Sequence, residues 1–214
     1  MPVLSVVAGP NGSGKSTLIA ALREQGVDLG RYFNADDIAK GLSGSPVDVA
    51  RQAQEIVRTG RAEALASGVS HSFETVMSHI SHVEYMREAR SKGFEVRLYF
   101  VATEKPEVNL LRVANRVTHG GHDVPQDRIV SRYYRCLENL PDAIAASDIA
   151  LVFDNSQADR PHRWLAWIND RMLMHPPFPS HVESAVDPEL IPAWWLSILL
   201  KIKPIDPFGH GFLH

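Results

Sequence analysis

The chain has a single cysteine, Cys136, so no disulfide can form within it, and a reducing cytoplasm is its expected compartment. It has no strong excess of either charge. Its 22 Lys and Arg stand against 25 Asp and Glu, a net charge of −3. That balance gives no electrostatic footprint for a long nucleic-acid surface. Long apolar runs are missing too. The most apolar late stretch, Ile191 to Leu200, is far short of the roughly 20 residues that span a bilayer, and is expected to pack onto the domain. The apolar start after Met1 is too short for a signal segment and lacks a basic leader. Internal repeats and low-complexity tracts are absent. At 44% hydrophobic and 22% charged residues over 214 positions, the composition is that of an ordinary globular chain, one domain with or without a small appendage.

What is present begins at Gly9-Pro10-Asn11-Gly12-Ser13-Gly14-Lys15-Ser16, which reads G-x-x-x-x-G-K-[ST], the phosphate-binding P-loop. Val3 to Ala8 before it is an apolar, β-branched run, as in a buried parallel strand. The stretch after it, Ser16 to Glu24, has Leu18, Ile19 and Leu22 at helical spacing. Strand, glycine loop and helix together let backbone N–H groups curl round a phosphate. The nucleotide-binding set is thus Gly9 to Ser16 with Thr17 beside it. Lys15 supplies a cation to the β- and γ-phosphates of ATP or GTP, and the Ser16 hydroxyl is a ligand for Mg²⁺.

Further strands are expected at Tyr32–Asn34, Val69–Phe73, Phe94–Ala102 and Ile149–Phe153. Helices are expected between them, among them a long one with Val49, Ala53, Ile56, Val57 and Ala64 on one stripe. Five strands alternating with helices predict an α/β fold, a doubly wound parallel sheet with helices on both faces. From Ser156 the rhythm is lost. Trp164 to Ile168 reads as strand or short helix, His175 to Pro188 as irregular, Asp187 to Leu200 as a terminal helix. The expected division is a P-loop domain over 1–175, with a lid around 112–135, and a proline-rich C-terminal segment over 176–214.

In such sheets ligands lie beyond the carboxyl ends of the strands. The carboxylates placed there are Asp36, Asp37, Glu74 and Asp154. Phosphoryl transfer needs a phosphate cradle, a metal, a group that takes the acceptor's proton and cations over the transferred group. Asp36 is the first candidate for the base and Asp37 the second, against an N-cap role for either. Glu74 is placed to orient the acceptor or hold a Mg²⁺-bound water. Cations come from Arg112 and Arg116, one helical turn apart, and from Arg128, Arg132 and Arg135 beyond the glycine-rich loop at Gly120-Gly121, where a lid would close. The histidines at 119 and 122, and at 71, 79 and 82, lack the partners of a known metal pattern. The tryptophans at 164, 167, 194 and 195 read as packing.

The ordered set G-P-N-G-S-G-K-S-T-L, F-N-A-D-D-I-A, H-S-F-E-T, K-G-F-E-V-R-L-Y-F-V-A and R-V-x-x-R-V-x-x-G-G-H-D-V-P resembles the zeta-toxin-like P-loop kinases from Met1 to about Asn155. The resemblance implies a nucleotide-kinase-like core that uses ATP or GTP with Mg²⁺ to phosphorylate a hydroxyl of a small acceptor. Some members act on UDP-N-acetylglucosamine and are restrained by an antitoxin protein, which puts both among the implied partners. It implies Lys15 and Ser16 as the nucleotide-binding pair, Asp36 as base, Glu74 as the acceptor-contacting acid and Arg116 as the first lid arginine. Where a second lid arginine would fall, this chain has Gly120-Gly121-His122, which leaves Arg128 and Arg132 as replacements, and Thr75 stands where a glycine would follow the acid. A polynucleotide 5′-hydroxyl kinase and a regulatory NTP-binding module are the competing readings; the first would want a basic channel.

Overall fold

The structure, a computed structural model, describes residues 1–119, 124–169, 172–175 and 191–202. The expected strands form as β1 (Val3–Ala8), β2 (Arg31–Phe33), β3 (His71–Thr75), β4 (Glu95–Ala102) and β5 (Ile149–Asp154). Between them run α1 (Lys15–Glu24), α2 (Ala35–Ala39), α3 (Pro46–Ala66), α4 (Ser81–Ser91), α5 (Pro106–Thr118) and α6 (Gln126–Ala145). Two more strands, β6 (Arg163–Asn169) and β7 (Met172–His175), precede α7 (Ala193–Leu199).

One seven-stranded sheet results, in the order β2-β3-β1-β4-β5-β6-β7. The first five strands pair in parallel; β6 and β7 add antiparallel. The sheet therefore exceeds the five-strand expectation at one edge. The reason is geometric. A parallel return needs a crossover of about a dozen residues, and the connection 155–162 is shorter, so β6 can only turn back on β5. Trp164 to Ile168 is strand, with Ala166 and Ile168 pointing inward.

β1 sits between β3 and β4. The chain leaves β1 for one side of the sheet and later crosses to the other, so the P-loop emerges at the point where the strand order reverses, the usual ligand crevice of open α/β sheets. Apolar clusters cover both faces. Leu18, Ile19 and Leu22 of α1 pack on Val7, Tyr99 and Val101. The larger cluster, on the opposite face, joins Leu4, Val6, Phe73, Leu98 and Phe100 to α3, α4, α6 and α7. Trp194 and Trp195 of α7 are buried there, so this stretch packs onto the sheet as its composition indicated. Ile56 departs from the expected α3 stripe. It is 46% exposed, while Gly60 takes a core position against the Phe33 ring. Val69 is likewise exposed, and β3 starts two residues later than its apolar composition suggested.

Where α3 and α4 cover β3, the core is aromatic and polar. His71 is fully buried, with Nδ1 2.8 Å from the Val69 carbonyl and Nε2 2.7 Å from the Tyr85 hydroxyl. The His82 ring lies against Phe73. Burial first, then the charges of Arg61 and His79, push His82 down to about 4 from an ordinary 6.5. The folded protein thus keeps this imidazole neutral over a range in which the unfolded chain protonates it. We expect the urea midpoint to fall as pH drops from about 6.5 towards 4, and His82→Gln to flatten that fall. Urea unfolding of both proteins at pH 7 and pH 5 checks it; equal slopes would remove His82 as the cause.

Candidate active site

Three glycines of the P-loop lie in backbone regions that side chains avoid: Gly9 at φ 152°, Gly12 at 75° and Gly14 at 99°. Close packing explains two of them further. A Cβ on Gly9 would lie 2.0 Å from the Val101 carbonyl oxygen, and one on Gly12 would lie 2.8 Å from that of Asn109 on α5. Gly14 caps α1 and brings no side chain to the first amides, which leaves them open to an anion. The Ser13 hydroxyl is buried with no hydrogen-bond partner among the described residues. Glycine cradle, uncapped amides and an orphaned hydroxyl together fit a nucleotide triphosphate. Pro10 is buried, Asn11 half-buried, and Thr17 exposed on the first turn of α1.

Lys15 is buried, and its ammonium donates to the Pro10 carbonyl at 2.9 Å. Desolvation lowers its pKa. Glu74 and Asp36 act to raise it, and Arg116 to lower it. The fold thus brings Asp36 of α2, Glu74 of β3 and Arg116 of α5 within electrostatic reach of one cation. Ser16 donates to a Glu74 carboxylate oxygen at 3.1 Å, and the Tyr32 hydroxyl lies 3.5 Å from the same oxygen. Burial pushes that phenol up to about 12. The Ser16 hydroxyl and Glu74 carboxylate are the hard oxygens that Mg²⁺ takes. No group of three or more His, Cys, Asp or Glu able to hold a metal occurs among the described residues; His122 lies outside them.

Asn34, not an aspartate, caps α2: its side chain accepts from the Asp36 amide at 2.8 Å. The cap role weighed for the two aspartates therefore belongs to their neighbour. Asp36 is exposed on the first turn, while Asp37 is held by Lys40 at 2.6 Å. Arg116 is exposed in the last turn of α5. Arg128 and Arg132 lie on the first turns of α6, exposed and half-buried, and are not among the charges that bear on Lys15. Arg112 is half-buried, with Nη1 buried and without a hydrogen-bond partner among the described residues. Asp154 is buried and engaged by Ser156, Arg163 and Trp194, which ties β5, β6 and α7 together.

Two residues not expected from the sequence hold the loop from behind. The Asn155 amide donates to the Ser13 carbonyl at 2.8 Å, and its oxygen accepts from the His162 amide at 3.3 Å. His162 Nε2 lies 3.2 Å from the Gly14 carbonyl, which requires that nitrogen to carry the proton. A strand-end Asn-Ser followed by a short connection was the available signal, but its target is 142 positions away.

A family model described as "Zeta toxin" matches residues 1–162. The chain belongs to the zeta toxin family. An uncharacterized protein of Haemophilus influenzae is 29% identical to this zeta toxin family chain over 130 residues, 58% of this chain and 88% of the relative. Among solved structures, AvrRxo1-ORF1:-ORF2 with ATP is similar at TM-score 0.61 and 18% identity, covering 79% of this chain and 59% of that one. The chain therefore spans about three-fifths of the length of that neighbour. The PezAT toxin–antitoxin system of Streptococcus pneumoniae is similar at TM-score 0.53 and 17% identity, covering 76% and 70% of the two chains. Both likenesses establish a P-loop kinase-like fold. No described helix is long and apolar enough to cross a membrane.

The Asn155 brace is expected to matter for nucleotide binding. Asn155→Ala strands the buried Ser13 carbonyl, a loss of about 1–3 kcal/mol. We expect Mg·ATP affinity to drop about tenfold, corresponding to about 1.4 kcal/mol. Calorimetric titration checks it, and undiminished affinity would make the brace irrelevant to binding.

Proposed function

We propose that the protein transfers the γ-phosphate of ATP or GTP to a hydroxyl of a small-molecule acceptor. The observation that carries this reading is the convergence of Glu74, Asp36 and Arg116 on Lys15, beside the Ser16–Glu74 contact. A bound Mg²⁺–nucleotide would supply the phosphoryl group and a Lewis acid, with Ser16 among its ligands. The chain's own groups do the rest. Lys15, held by the Pro10 carbonyl, neutralises phosphate charge. Asp36, exposed and relieved of capping, takes the acceptor hydroxyl's proton. Glu74, fixed by Ser16 and Tyr32, orients the acceptor. Arg116 sets a cation where charge develops on transfer, with Arg128 and Arg132 as reserve lid cations. The lid over 112–135 and the division of the chain at residue 175 belong to this same reading. So does an antitoxin-like protein partner, the arrangement that the PezAT description gives for that system.

The acceptor is proposed by class alone, as a small hydroxyl compound. N-Acetylglucosamine attached to uridine diphosphate is one member of that class, carried by the resemblance. A nucleic-acid acceptor fits less well, given the net charge of −3.

Lys15→Ala should abolish turnover and weaken nucleotide binding. Asp36→Asn should lower phosphoryl transfer about 10²-fold or more with Mg·ATP affinity and melting temperature unchanged, since general-base contributions run ~10²–10⁴-fold. Asp37→Asn, which removes only an exposed pair with Lys40, is the control and should cost little. Arg116→Ala should slow transfer while leaving affinity near normal. The assay is γ-labelled ATP with a metabolite extract, read by mass spectrometry of the phosphorylated product. Full activity in Asp36→Asn would sink the assignment of the base.

A further inference from the structure

On the opposite face of β3 one cation, Arg61, has no carboxylate paired with it among the described residues. The guanidinium carbon of Arg61, on α3, lies 3.5 Å from the centre of the Phe73 ring and 4.2 Å from that of Tyr85. Its Nε is buried with no hydrogen-bond partner among the described residues. The group that supports its charge is the Tyr85 phenol, not a carboxylate. Its other titratable neighbours are imidazoles, and its charge helps keep His71 and His82 neutral. His79 stands beside His82. Glu88 of α4 is the one carboxylate that bears on the cluster, and it acts on Tyr85 rather than on Arg61 or His82; the groups around Arg61 itself are cationic or neutral. Buried ions are ordinarily paired, and stacking on two rings offsets only part of the desolvation of a guanidinium.

The placement is specific. Phe73 directly precedes Glu74, and His79 and His82 follow the carboxyl end of the same strand. Arg61 and His82 are each half-buried, so solvent reaches this cluster. A guanidinium fork matches a phosphate or carboxylate, and an imidazole that gains a proton adds a second cation, which suits a dianion.

We infer that Arg61 and His82 form an oxyanion subsite that takes a phosphate group carried by the acceptor. This rests on the reading of Glu74 as the acceptor-side acid. The acceptor is then a phosphorylated hydroxyl compound, held by its phosphate on one side of β3 while its hydroxyl is presented at the strand end.

The test uses the full chain with the P-loop filled by saturating Mg²⁺ and a non-hydrolysable ATP analogue, so phosphate binding is read without turnover. Glycerol 3-phosphate, glycerol and inorganic phosphate are titrated while the His82 imidazole is followed by NMR. Glycerol 3-phosphate should bind saturably and raise the His82 pKa from about 4 by at least one, and glycerol should do neither. Arg61→Met keeps an apolar stem against both rings. It should weaken glycerol 3-phosphate binding at least tenfold with analogue affinity within twofold of wild type. The inference is overturned if glycerol 3-phosphate leaves His82 unmoved in the wild type, a result that needs no variant. It is equally overturned if Arg61→Met binds as well as wild type, or if only inorganic phosphate binds. None of these outcomes touches the rate assay on Asp36, so loss of the subsite and loss of the kinase reading are told apart.

Discussion

A buried ammonium sets the terms for the upper edge of the sheet. Lys15 has given up water, and burying an ion without partners costs several kcal/mol. The Pro10 carbonyl meets part of that cost directly, while Glu74 and Asp36 meet more of it across a gap. Those partners arrive from separate segments only because β1 lies between β3 and β4, with β2 beyond β3. The glycines serve the same end. They let the loop fold tightly against Val101 and Asn109 and so place the lysine under the site rather than out in solvent. Sheet order, loop conformation and the lowered lysine pKa are one arrangement seen at three scales.

Much of this was legible in the sequence, because it depends on residues close together in the chain. The P-loop spacing, the apolar runs of β1 and β4 and the carboxylates just beyond strand ends are local signals. Where the sequence misled, a local preference lost to a tertiary contact. Val69 has a strand former's side chain, yet pairing begins at His71, where Arg31 of β2 and Leu4 of β1 supply partners. Ile56 fits a helical stripe, yet the buried line of α3 runs through Ala53, Gly60 and Ala64, with Phe33 close against Gly60, and leaves Ile56 at its margin. The antiparallel pair β6–β7 broke the expected rhythm, and connection length, more than residue type, betrays it.

The candidate site divides along the same line. Lys15, Ser16, Asp36 and Glu74 follow from motif and strand position. Asn155 and His162 do not, since they bind backbone carbonyls, and carbonyls leave no mark in a sequence. Asn34 is a middle case. Its capping role has a local signature, but an aspartate two positions on drew the eye first. The three histidines near β3 looked like an incomplete metal set; in the fold His71 and His82 are ring partners and neighbours of a stacked guanidinium, and His79 stands beside His82.

Helix α7 closes the molecule in a way that bears on how it can be handled. Trp194 rests on Phe100 of β4, and its indole nitrogen reaches Asp154 at 3.4 Å. The same carboxylate is gripped by Arg163 at the start of β6. A recombinant fragment cut to the region shared with relatives, residues 1–162, would shed the guanidinium and the indole together, and would uncover Phe100 and Val152 in the middle of the sheet. Such a fragment would carry every residue of the phosphate loop and still be prone to clump. For expression and crystallography, the late helix, although beyond the proposed boundary at residue 175, has to stay attached to the P-loop domain on whose core it packs.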